Sequence, residues 1–387
     1  MSDVIAQQRV DATWRTRLSP DHLAAIEELR QQREAMLANL PSHRGKRLDE
    51  ALKAARGQPL AIAATLKEEG SNIAEIARDF RERSVNRIIA LGCGDSYFIA
   101  LSIRFAYETL VGLPFDPQQA LEYARYNHRL TTPRTGIIAL SSSGVVPRTL
   151  EALWVGESYG APTVAVTNRP ESPLDKAAHK SIVVRAGRPG PPTQSSTAAM
   201  AALFLLAMEL AQELRSTPAD ELAARRQELF SLPDVIARVI EESDEPMRQA
   251  AQQLRSAINF NFVGSGPNWG TAHFGYAKIR EASWDHSLPW QSEEYDHELT
   301  YQLPEGEPVF LIAPSGESHD RNVEIARSVR RDHGFLVSVV TEGDQEITAL
   351  SNVAIPIPPM SEYFSPLAYV IPLQLFAMHL GIIKAPT

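Results

Sequence analysis

The chain repeats itself, and the repeat narrows the possible folds more than any other feature. In the first half an apolar run, "RIIALGCGDSYF", enters a Gly turn at Gly92. A second run, "GIIALSSSGVVPRTLEAL", passes through a Ser/Gly turn into a helix start, and a third, "APTVAVTN", ends near Thr167. The second half answers with "NFNFVGSGPNWG", "PVFLIAPSGESHDRNVEIA" and "GFLVSVVTEGD". Ser143 stands 51 positions after Gly92, and Ser315 stands 51 after Gly264. The next step is 24 positions to Thr167 and 26 to Thr341. Short continuous apolar runs separated by helical stretches are the pattern of strands buried on both faces of a parallel sheet. Two copies of that pattern predict two similar α/β units, each a doubly wound parallel sheet. Ligands of such sheets sit beyond the carboxyl ends of the strands, where both Ser/Gly turns fall.

The flanking segments read as helical. In "SPDHLAAIEELRQQREAMLANLP", Ser19 is a good N-cap and Pro20 suits the first helical position, so an N-terminal helical arm is expected. "RSTPADELAARRQELFSLPDVIARVI" reads as a helical connector between the halves. Residues 187–200, "GRPGPPTQSSTAAM", form a Pro/Gly-rich loop running into a helix, a form that can line a site. The expected division is an arm at 1–55, a first unit at 56–220, a second at 221–372 and a C-terminal helix and tail at 373–387.

Charge and composition exclude several functions. A net charge of −9 argues against nucleic acid and anionic membranes, which need a positive field, but not against a small anion bound by a local backbone site. Cys93 is the single cysteine, so no disulfide framework or cysteine metal cluster forms within one chain, as suits a reducing cytoplasm. "MSDVIAQQRV" is too polar for a secretory signal. The apolar run "STAAMAALFLLAMEL" is too short to span a bilayer and reads as a core helix.

The first Ser/Gly turn carries the chemical signal. "LSSSGVVPRT" sets Ser141, Ser142 and Ser143 between a strand and a helix, where hydroxyls and backbone N–H groups can bind an anion. Helix capping is the alternative, but one cap needs only one hydroxyl. Ser195, Ser196 and Thr197 make a second hydroxyl cluster at another helix start. "GCGDSY" lacks the third glycine of a dinucleotide-binding fingerprint.

Taken in order from residue 58 to residue 384, these motifs resemble the double-SIS (sugar isomerase) family. The chain is similar to the isomerase half of glucosamine-6-phosphate synthase and to related sugar-phosphate deaminases and deglycases. The resemblance implies two SIS domains, each a flavodoxin-like α/β sandwich. It implies that Ser96, Ser141, Ser142 and Ser143 bind the sugar phosphate and that Ser196 and Thr197 hold the sugar, with Cys93, Asp95 and Gln194 beside them. The family's catalytic glutamate, in a K-x-K-E setting, matches Glu281 of "AKIREAS". Sixteen residues later its catalytic histidine matches His297 of "EEYDHE". In the family that histidine arrives from the neighbouring subunit, which implies a homodimer. The second Ser/Gly turn is structural in the family, so Ser315 and Ser318 are expected as turn and cap residues.

The chemistry suits the pair. An aldose–ketose shift moves a proton between C1 and C2, work for a carboxylate whose pKa is raised by burial. Opening the sugar ring needs a group that exchanges protons near pH 7, which histidine does. No cofactor and no metal are expected. The implied function is a phosphosugar isomerase, deaminase or deglycase; the alternative is a non-catalytic sensor that binds a carbohydrate derivative.

Three positions depart from the family pattern. Val146 stands where the phosphate turn has threonine, with Arg148 a candidate to compensate. Asp95 stands where threonine or serine is common, and a carboxylate repels phosphate unless it is paired. Lys384 precedes the tail that bears the synthase's Schiff-base lysine, and no glutamine-hydrolysing domain precedes the repeat, so the synthase reaction is not expected.

Overall fold

The structure is a computed structural model that describes residues 14–38, 44–187 and 193–385. The N-terminal stretch read for a signal and residues 188–192 of the Pro/Gly-rich loop lie outside the described residues. Helix α1 (Pro20–Ala38) begins as its sequence asks, with the Ser19 hydroxyl accepting the His22 N–H at 3.1 Å. Helices α2 (Arg44–Arg56) and α3 (Gln58–Glu82) lead into the first unit. That unit runs β1 (Arg87–Gly92), α4 (Asp95–Ala106), β2 (Phe115–Gln119), β3 (Thr135–Leu140), α5 (Pro147–Glu157), β4 (Thr163–Thr167), β5 (Lys180–Val183) and α6 (Gln194–Leu214). The connector is one helix, α7 (Ala219–Gln253). The second unit runs β6 (Asn259–Val263), α8 (Asn268–Ala282), β7 (His286–Trp290), α9 (Ser292–His297), β8 (Pro308–Ala313), α10 (His319–Arg331), β9 (Phe335–Thr341), β10 (Val353–Ile357) and α11 (Ser365–Lys384). Short helical turns complete the connections.

Both sheets are parallel and share one topology. The first has the order β2-β1-β3-β4-β5, and the second, read in the same sense, β7-β6-β8-β9-β10. This is the doubly wound, flavodoxin-like order, with its switch point between the first and third strands of each unit. The equal spacings now have a cause. Gly92 ends the first strand of its unit and Gly264 directly follows that of the second, Ser143 and Ser315 follow the third, and Thr167 and Thr341 end the fourth. All six residues of β3 and of β8 are buried. The four edge strands, β2, β5, β7 and β10, left no comparable apolar run in the sequence, because an edge tolerates polar residues and proline. Pro117, Pro289 and Pro356 lie in three of them.

The long apolar run is part of α6, whose 21 residues could cross a membrane by length and composition. The helix is longer than the run alone, but it packs against α3 and every residue from Ser195 to Ala211 is buried, as a core helix requires. Helix α11 is likewise apolar and buried.

The two units meet through the helices that follow their Gly turns. Helix α4 lies against α8, with Phe98 stacked on His273 at 4.9 Å and edge-on to Phe274 at 5.6 Å. A Cβ at Gly270 would sit 2.0 Å from Ser102 Oγ, so only glycine admits this crossing. The approach brings the start of α4 against the last turns of α8.

Glycine matters most where backbone meets backbone. A Cβ at Gly92 would lie 2.5 Å from the Ser96 carbonyl carbon and 2.6 Å from the Tyr97 nitrogen. Gly92→Ala should therefore lose roughly 1–3 kcal/mol in urea unfolding, as overpacked sites do. Gly70, inside α3 with open space around its Cβ position, should show the reverse. Gly70→Ala should gain about 0.5–1 kcal/mol from helix propensity and a less flexible unfolded chain.

Candidate active site

The α4–α8 crossing creates a buried charge cluster. On α8, Gly270, Phe274 and Lys278 recur at four-residue spacing, one helical face turned into the protein. Lys278 is completely buried, so its ammonium must find partners. It donates to Asp95 Oδ2 at 2.6 Å across the crossing and to Glu281 Oε2 at 2.7 Å, three residues along its own helix. The Ser196 hydroxyl, at the start of α6, also donates to Asp95 Oδ2 at 3.4 Å. Asp95 thus joins three helices drawn from both units.

Two carboxylates share one ammonium, and this sets their protonation. Burial works against the charge on Lys278, but Asp95 and Glu281 outweigh it and raise its pKa above the usual 10.5. The Glu281 pKa is raised above 4.5, first by burial and then by the Asp95 charge, with Lys278 opposing both. The Glu281 side chain is 38 % exposed, yet that exposure faces a recess walled by protein, so desolvation prevails. Glu281 is a carboxylate poised to hold or release a proton.

Glu281 lines a cavity of about 480 Å³, in the usual range for small-molecule sites. Its wall includes Cys93, Gly94, Asp95 and Ser96 of the first Gly turn, Ser141, Ser142, Ser143 and Val146 of the Ser turn, Ser195 and Ser196 of α6, and Tyr276 and Arg280 of α8. The serines are set as donors. Ser141 Oγ accepts the Gly144 N–H at 3.2 Å and Ser143 Oγ accepts the Val145 N–H at 3.4 Å, which leaves both O–H groups for a ligand. The Ser142 hydroxyl donates to Asn168 Oδ1 at 3.0 Å. Among the described residues, the N–H groups of Ser142 and Ser143 have no backbone acceptor. Burial pushes the Cys93 thiol upward in pKa, so it stays neutral.

The second Ser turn has the same shape but is filled from within. The Glu362 carboxylate accepts the Glu317 N–H at 3.0 Å, the Ser315 N–H goes to Thr341 Oγ1 at 2.8 Å, and Ser318 bonds Ser265 at 2.7 Å. A side-chain carboxylate occupies the place that the first turn leaves open. Ser315 sits in the turn, and Ser318 occupies the N-cap position of α10 without its hydroxyl capping the helix.

Not every candidate reaches the cavity. The Thr197 hydroxyl is buried and donates to Gln58 Oε1 at 2.9 Å, and Gln58 in turn bonds Gln374. Gln194 accepts the Gly187 N–H at 3.0 Å and is not on the wall. His297 ends α9, a short helix where the sequence reads as an acidic loop. Its side chain is 67 % exposed, 3.6 Å from Glu293 and outside this chain's cavity. Glu293 and Asp296, unassigned by the family pattern, both bind Arg321. Arg148 does not compensate for Val146: it is paired with the fully buried Glu151 and is absent from the cavity wall. Lys384 bonds Asp285 at 2.7 Å, away from the site. Lys278 escaped the sequence reading, although a lysine at a core position of a helix signals a buried partner.

The comparisons agree with this architecture. The SIS domain family matches residues 83–209. The first α/β unit thus matches the SIS domain family. It is 28 % identical over 335 residues to the glutamine–fructose-6-phosphate aminotransferase (isomerizing) of Thermococcus kodakarensis, covering 86 % of this chain and 55 % of that protein. The Thermus thermophilus enzyme of the same name is 29 % identical over 340 residues, covering 86 % and 56 %. The chain therefore spans about half the length of the curated relatives it matches. The C-terminal domain of glucosamine-fructose-6-phosphate aminotransferase from Francisella tularensis superposes with a TM-score of 0.80 at 21 % identity, covering 86 % of this chain and 96 % of that one. A glucosamine-6-phosphate deaminase from Thermotoga maritima gives 0.70 at 19 %, covering 86 % and 94 %. At these identities the two structures establish a shared fold.

The charge cluster has an electrostatic consequence that can be measured. In a 13C NMR titration the Glu281 carboxyl should have its midpoint above 4.5, and Asp95→Asn should lower it, because Lys278 then serves Glu281 alone. A raised folded-state pKa stabilises the fold below the unfolded-state value. That contribution is lost as pH rises through the folded value.

Proposed function

We propose that this protein is a sugar-phosphate isomerase, or a deaminase of the same chemical type, that moves a proton between C1 and C2 of an open-chain sugar. The observation that supports it is the placement of Glu281, with its raised pKa, at the rim of a hydroxyl-lined cavity and against a buried ammonium. In this reading the ionised carboxylate removes the C2 proton of an aldose, giving an enediol, and returns a proton to C1 to give the ketose. If C2 carries an amine, the same proton transfer gives an imine at C2, which water hydrolyses to the ketose and ammonia. Lys278 and Asp95 are positioning residues that hold the Glu281 carboxylate and set its pKa. Asp95 does not repel a phosphate as a bare carboxylate would, because Lys278 neutralises it.

His297 belongs to the proposal through a second subunit. Exposed on its own chain, the partner subunit's His297 would enter the cavity in a homodimer and open the sugar ring. The relatives' names mention fructose 6-phosphate and glucosamine 6-phosphate, which makes these two the first substrates to try.

The test is solvent exchange. Wild-type protein incubated in D2O with either sugar phosphate should incorporate deuterium at C1 or C2, read by NMR. Glu281→Gln should reduce the rate by roughly 10²–10⁴-fold with binding retained. Equal rates in the variant would dismiss Glu281 as the base, and binding without exchange in the wild type would favour a sensor. Co-expression of Glu281→Gln and His297→Ala chains should recover about a quarter of wild-type activity, since half of the dimers are mixed and each carries one intact site. No recovery from the mixture would sink the shared site.

A further inference from the structure

The N-terminal helix reaches the cavity. Helix α1 lies along α5 in the opposite direction. His22 stacks on Trp154 at 4.2 Å, Glu27 is close enough to Arg148 to feel its charge, and Arg33 lines the cavity with Val146. Ile26 and Leu29 are buried beneath the helix, and the same three- and four-residue steps carry that face on to Arg33. The buried residues of α1 therefore hold it where Arg33, itself exposed, lines the cavity that the Ser turn also lines.

The neighbouring arginines are already engaged. Arg30 binds Glu27 and Glu34, and Arg125 and Arg148 both bind the buried Glu151. Among the described residues no carboxylate lies within ion-pair distance of Arg33. Its charge is felt at the Cys93 thiol of the Gly turn, which lines the same cavity. The donors of that end, the hydroxyls of Ser141 and Ser143 with the N–H groups around them, carry no net charge. A phosphate of nearly two negative charges calls for a cation as well, and a guanidinium offers a fork of donors that fits it.

We infer that α1 is a strap over the anion end of the cavity and that Arg33 binds the substrate's phosphate, supplying what Val146 and the committed Arg148 do not. The inference rests on the reading of the cavity as a sugar-phosphate site and gives the N-terminal arm a part in it. It also explains how an acidic protein with a carboxylate in its Gly turn takes an anion: the charge is delivered locally, from outside the repeat.

Calorimetric titration of the full chain with inorganic phosphate tests the strap directly. Wild type should bind phosphate, and Arg33→Gln should weaken binding roughly 10- to 100-fold, the effect of losing a charged hydrogen bond. Arg33→Lys should recover part of the loss. Arg30→Gln, one turn away and paired on the surface, should match wild type. In the exchange assay Arg33→Gln should raise KM for fructose 6-phosphate with kcat largely kept, and should leave KM for fructose unchanged. Equal phosphate affinity in wild type and Arg33→Gln, or no phosphate binding by wild type, overturns the inference. Glu281→Gln should bind phosphate as wild type does, so failure of the catalytic reading and failure of the strap give different results.

Discussion

The site is organised around one buried ammonium. Lys278 has no contact with solvent, and a lone charge in that position would be prohibitive. It is tolerated because the α4–α8 crossing delivers Asp95 and its own helix delivers Glu281. Each member constrains the others. Asp95 holds the ammonium charged, the ammonium holds Glu281 in place, and the surplus carboxylate keeps the Glu281 pKa high. The crossing itself depends on Gly270, where backbone meets Ser102. Packing between the two units and the electrostatics of the candidate base are therefore one arrangement.

The two units show what duplication permits. They share strand order, turn spacing and the geometry of their Ser turns. In the second, the Glu362 carboxylate accepts the donor that a ligand would use, and that turn closes on itself. In the first, the Ser141 and Ser143 hydroxyls accept N–H groups and have no acceptor of their own among the described residues. A fold that offers two equivalent Ser turns has filled one with its own side chain. Asp95 follows related logic, a carboxylate in a position suited to anions, but with a lysine to neutralise it.

The parts legible in the sequence were those set by burial and backbone geometry. Central strands such as β3 and β8 are apolar because both faces are covered, and Gly92 and Gly264 recur because a helix returns close to each strand end. The edge strands were not legible, since one-sided pairing leaves their composition unconstrained. Among site residues, Glu281 and the three serines stood out by motif, and the structure brings them to one cavity. Thr197 and Gln194 carried the same motif signal but face other neighbours, because a helix start presents only some of its residues to a cleft.

The sequence by itself determined the α/β class, the twofold repeat and the turns where chemistry would collect, because hydrophobic period, glycine and hydroxyl residues are local signals. Only the tertiary structure decided that Asp95 is paired with Lys278, 183 residues away, that Arg148 is committed to Glu151, and that Arg33 of the arm lines the same cavity as the Ser turn. Those outcomes depend on which helices cross and at what distance. Charges act through space, and a linear pattern does not record which charge will stand beside which.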